Sequence, residues 1–142
     1  MRAFPILLAL LLVPAISRAD VVVYDQNATN TTYLLDSASE KYGQSFTNSA
    51  GNVAVSSVQF FLKKTGTVTG NLVVKIYSTT GSSTSYTPNT SGSALVTSNN
   101  LDASTIAGSQ TGYTFTGFAS GTNLTSGNTY FAVLDTTGVT ST

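Results

Sequence analysis

The chain has 142 residues, no Cys and no His, with six basic and six acidic side chains. A Ser–His–Asp triad, a Cys–His pair, ordinary zinc sites and a disulfide framework are therefore excluded. No basic surplus exists to neutralise phosphates, so nucleic acid is not an expected partner.

The first nineteen residues read as a secretory leader. Met1 and Arg2 supply a positive start, residues 3–16 are uncharged and apolar, and Ser17-Arg18-Ala19 puts small residues before Asp20. The apolar run is fourteen residues long and contains Pro5 and Pro14. A membrane helix needs about 20 residues, so a transmembrane segment is not expected after cleavage. No Cys follows the run, which excludes a lipoprotein anchor. The expected mature chain, residues 20–142, is one secreted domain placed outside the cell or at its surface.

That mature chain keeps four Lys and no Arg against six acids. Ser and Thr make up 42 of its residues and Asn ten, so its surface is solvated by hydroxyls and amides. Export without Cys points to a bacterial source, and stability must come from an apolar core and sheet ladders. The sequons at Asn27, Asn30, Asn89 and Asn123 are expected by chance in so Asn- and Thr-rich a chain.

In chain order, strands are expected at residues 21–25, 43–47 and 53–64, with a short helical turn at 37–40. In the third run Val58, Phe60 and Leu62 point inward while Gln59 and Phe61 point outward, the period of a half-buried strand. Residues 65–70 read as a loop. Residues 72–77 follow, with Leu72, Val74 and Ile76 inward and Lys75 in solvent. The strands at 53–64 and 72–77 are expected to pair with each other. Residues 79–93 are low in complexity and too polar to pack, so they read as a long loop. A weak strand at 94–97 precedes isolated anchors at Leu101 and Ile106. Residues 113–116 alternate cleanly, Phe118 follows, and Leu124 plugs a loop before the turn at 126–128. Residues 129–134 are apolar on both faces, as a central strand should be. No mature segment has helical periodicity. The expected fold class is all-β: a single antiparallel two-sheet β-sandwich.

Five motifs in this order, GQSFT, SSVQFFLKKTGTVTGNLVVKIYSTTG, SALVTSNNLDAS, GYTFTGF and LTSGNTYFAVLD, resemble a family of secreted bacterial jelly-roll modules. These modules are similar to carbohydrate-binding jelly rolls and occur in "choice-of-anchor" surface proteins and in phage or cell-surface proteins. The resemblance spans residues 43–135 and implies a jelly-roll fold far more than an activity. Family members continue into a further strand or a sorting tail. Here residues 139–142 read as neither, so the expectation is a freely secreted module or a fragment whose C-terminal strand is missing, with an open edge.

Catalysis would have to rest on carboxylates, and the mature chain holds a single Glu, Glu40, and no E-x-D-x-x-E arrangement on one strand. A non-catalytic module is expected. Asp25, Asp36 and Glu40 are candidate ligands for a structural calcium, although no Asp-rich loop frames them; no other cofactor is implied. For a carbohydrate or other surface ligand, stacking needs exposed rings, and the candidates are Phe61 and Tyr77 on outward strand faces and Tyr86 in the long loop. A glycan or a cell-surface protein is the partner this implies. The alternative is a structural subunit of a cell-surface layer, fibre or phage-like appendage. Lys63, Lys64 and Lys75 also raise the prospect of a covalent Lys–Asn or Lys–Asp cross-link of the kind some surface adhesins form.

Overall fold

The computed structural model describes residues 41–82, 85–120 and 122–141. The expected leader, the expected strand at 21–25, the expected helical turn at 37–40 and the calcium candidates Asp25, Asp36 and Glu40 lie outside the described residues.

The described chain is all-β, with curled antiparallel sheets and one 3-10 turn at Ala103–Thr105. Its strands are β1 (Lys41–Thr47), β2 (Val53–Ala54), β3 (Val58–Leu62), β4 (Val68–Ser82), β5 (Ser85–Pro88), β6 (Val96–Thr97), β7 (Leu101–Asp102), β8 (Thr111–Phe115), β9 (Asn123–Leu124) and β10 (Thr129–Ser141). One six-stranded sheet runs β1-β10-β4-β5, with β6 and β7 also paired to β4. Two short ribbons, β2–β9 and β3–β8, complete the set. Among the described residues no helix is long and apolar enough to cross a membrane.

One apolar cluster joins these pieces. Leu72, Val74 and Ile76 from β4 meet Tyr130, Ala132 and Leu134 from β10, Val58 and Leu62 from β3, Phe115 from β8 and Leu124 from β9. The alternation read from the sequence is the cause: one face of each strand is apolar, and the strands stack those faces together. Full burial of each Leu, Ile or Val contributes about 1.5–3 kcal/mol. Beneath β3, Phe60 meets Phe115 edge to face at 6.2 Å between ring centres.

Several elements differ from the sequence reading. β3 pairs with β8, and β4 pairs with β10, so the expected β3–β4 partnership is wrong. Both strands bury one face, and placing them in separate sheets lets each cover the other. The expected run at 53–64 is also two strands, because β2 belongs to a different ribbon from β3. Residues 79–93 are not one loop: Thr79–Ser82 extend β4 and pair with β5. That hairpin needs no apolar core, since its ladder is reinforced by the hydroxyl pair Thr80–Thr87 at 2.9 Å. Leu101, read as an isolated anchor, forms part of β7 against Leu72.

The residues read as an ending without a strand, 139–141, continue β10 against Val68–Gly70, which had read as a loop. A bulge lies between Asp135 and Gly138. Gly70, with φ +99°, sits where a Cβ would stand 2.0 Å from the Gly138 carbonyl oxygen, so only glycine lets the strands close there. A second tie is the buried Asn48. Its amide donates to the Leu124 carbonyl at 2.8 Å and to that of Gly51, and its Oδ1 accepts the Ala50 N–H. Its backbone pairs with Gly127 and Asn128, so one residue joins the end of β1 to the turn before β10.

Two outcomes follow in chemical denaturation. Gly70→Ala should lower the unfolding free energy by about 2 kcal/mol or more, since it adds strain and a backbone clash. Asn48→Ala should cost roughly 1–3 kcal/mol, because it leaves buried carbonyls without donors. A change under a few tenths in either would contradict these roles.

Candidate functional site

The outward face of the β3–β8 ribbon carries the most promising constellation. Phe61 is 41% exposed, one of three large apolar side chains exposed among the described residues. Gln59 lies two residues before it on the same face. The register sets Phe61 opposite Gly112 and Gln59 opposite Thr114. A Cβ on Gly112 would lie 2.9 Å from Gln59 Nε2 and 3.3 Å from Phe61 Cε1. The amide and the ring therefore close over a glycine floor. Gln59 Nε2 also reaches Thr114 Oγ1 at a long 3.4 Å.

The platform is stiff because its inward face is anchored. Phe60 and Phe115 pack beneath it. The Tyr113 hydroxyl accepts the Ala107 N–H at 2.6 Å and fastens β8 to the chain around the 3-10 turn. That turn is capped by Asp102, whose carboxylate accepts the Ser104 N–H at 2.8 Å. The backbone hydrogen bond from Ser104 is the main reason the exposed Asp102 carboxyl is held below its ordinary pKa. The Lys64 ammonium donates to the Ser104 carbonyl of the same turn.

The other two expected rings are not part of this face. Tyr86 is exposed, but it sits on β5 opposite Gly81, in the six-stranded sheet. Tyr77 was expected to face outward into solvent and is instead only 6% exposed. Its side chain does leave the core face of β4, as alternation requires. Neighbouring strands then flank it, with Phe131 opposite on β10 and Leu95 beside it, where the Leu95 N–H bonds the Ile76 carbonyl. A ring so enclosed offers no stacking surface.

Next to Tyr77 on this second face is an ion pair. Lys75 Nζ donates to Asp135 Oδ2 at 2.6 Å, and Asp135 is 3% exposed. Its other oxygen accepts the Thr137 N–H at 3.0 Å, which fastens the bulge of β10. Burial works against the Asp135 charge. Hydrogen bonds from Lys75 and Thr137 and the ammonium's attraction outweigh it and hold the carboxyl at about 2. The hydrogen bond to Asp135 raises the Lys75 pKa despite partial burial. Amide formation between the two would need a neutral amine and an uncharged or activated carboxyl. Both groups are instead pushed deeper into their charged forms, which opposes a cross-link between these two.

Gln59, Gly112 and Thr114 were not singled out in the sequence. The outward position of Gln59 was legible from alternation. The other two could not be found without knowing that β3 pairs with β8.

No protein-family model, no curated protein and no solved structure matches this chain. The likeness to jelly-roll surface modules rests on the strand motifs alone.

Two measurements test the electrostatics. The depressed Asp135 pKa stabilises the fold fully above pH about 4, and the effect fades as pH falls toward 2. Asp135→Asn should therefore cost up to about 2 kcal/mol at pH 7 and flatten the stability profile between pH 4 and 2. An unchanged acid limb would refute the assignment. The intact mass of the purified protein should show no loss of water from an amide between Lys75 and Asp135.

Proposed function

We propose that this chain is a secreted, extracellular, non-catalytic β-sandwich module of jelly-roll type that binds carbohydrate or another surface ligand on the outward face of β3 and β8. The observation that carries this reading is the exposed Phe61 ring beside the Gln59 amide over Gly112. An apolar ring face with an adjacent amide and hydroxyl suits a sugar, which presents C–H groups on one face and hydroxyls at its rim. Gly112 leaves room for the amide and the ring to settle side by side against β8, and Thr114 adds a second polar group.

The absence of His and Cys from the sequence supports a binding role over a catalytic one. So do the described carboxylates: Asp135 is engaged with Lys75, and Asp102 caps a turn. The alternative, a structural subunit of a surface layer or fibre, draws on the Thr-rich strands.

A polysaccharide array tests the reading. Binding should fall at least tenfold in Phe61→Ala, equivalent to about 1.4 kcal/mol, with the unfolding midpoint unchanged. Gln59→Ala should weaken it less. A Tyr77→Phe variant should bind as the parent does. Failure to bind any glycan would sink the carbohydrate reading.

A further inference from the structure

β3 ends at Leu62, and the chain runs on through Lys63 and Lys64. The two lysines part here. The Lys64 N–H bonds the Ala107 carbonyl, and its ammonium donates to the Ser104 carbonyl of the 3-10 turn. That turn lies against the core, which takes in Ala103 and Ile106. Lys64 therefore leaves the chain on the side that Leu62 buries. Alternation puts Lys63 on the opposite side, in line with Gln59 and Phe61. Two residues of strand advance about 6.6 Å. The outward row thus reads amide, ring, ammonium, each next to the last.

The charge on this row is unbalanced. Asp102 and Asp135 are the carboxylates among the described residues, and both are engaged elsewhere. Asp102 caps the 3-10 turn, where Lys64 also attracts it, and Asp135 holds Lys75. The half-buried Lys63 has no ion-pair partner among the described residues. Across the ribbon, Phe61 and Gln59 face Gly112 and Thr114, neither of them charged. An uncompensated positive charge therefore stands beside the exposed ring. The expected mature chain has four Lys against six acids. Attraction of an anion to this face would be local, not a property of the net charge.

We infer that the ligand of the β3–β8 face is an acidic saccharide, stacked on Phe61 with its anionic group on the Lys63 ammonium. The inference rests on the proposed ligand reading and narrows it, since Phe61 and Gln59 alone do not choose between neutral and acidic sugars. An ammonium is a compact point charge without the planar fork that matches a carboxylate, so a carboxylate or a sulfate suits it.

Matched polymers isolate the charge: polygalacturonate against its methyl ester, and dextran sulfate against dextran. Titration of the purified protein at low salt should show the acidic member of at least one pair bound about three- to fivefold more tightly, the size of one solvent-accessible ion pair. The preference should vanish near about 0.5 M salt. Lys63→Gln should erase it without weakening neutral binding or moving the unfolding midpoint, and Lys63→Glu should reverse it. Phe61→Ala should weaken both members of the pair. Equal affinity for both members in each pair would overturn the inference. So would a preference that survives Lys63→Gln, or no binding of either acidic polymer. A neutral glycan bound through Phe61 with no acidic preference would leave the ligand reading standing, whereas binding to no glycan at all would end both.

Discussion

The ladder between β4 and β10 holds the described structure together. Ten register pairs join them, from Tyr130–Ser78 to Ser141–Val68. β1 is added to one side of this pair, and β5, β6 and β7 to the other. The reason is physical. Leu72, Val74 and Ile76 alternate with Val73, Lys75 and Tyr77, and Tyr130, Ala132 and Leu134 alternate with Phe131, Val133 and Asp135. Two such strands side by side present a continuous apolar face to the core, which the β2–β9 and β3–β8 ribbons help cover.

The opposite face of that ladder is what makes the sheet two-sided. Tyr77 and Val133 are buried there although they stand outside the core cluster. The Lys75–Asp135 pair lies between them and the bulge, and Asp135 holds the bulge through Thr137. Beyond the bulge, β10 closes against Gly70, where a side chain would strike Gly138. Charge pairing, a backbone irregularity and a glycine thus act in sequence along one strand.

The β3–β8 ribbon is built differently, and that difference supports the proposed ligand site there. It is narrow, so its outward face is open, yet Phe60, Phe115 and Tyr113 fix it from within. An exposed ring on a fixed backbone binds with less entropy to lose than one on a loose loop. Tyr86, at the end of a polar hairpin, has exposure without that support. Tyr77 has support without exposure.

The amino-acid sequence by itself determined the all-β class, the inward set of each main strand and the outward position of Phe61. Those features follow from local alternation, which needs no knowledge of neighbours. It also excluded His- and Cys-based chemistry outright. Only the tertiary structure decided which strands meet. It separated β3 from β4, made a hairpin of residues that are too polar to need a core, and carried β10 through to Ser141. It also buried Tyr77, opposite Phe131, and brought Gly112 beneath Phe61. Strand partnership depends on how apolar faces from distant segments can be covered together. That is a property of the whole chain, and no single run of residues records it.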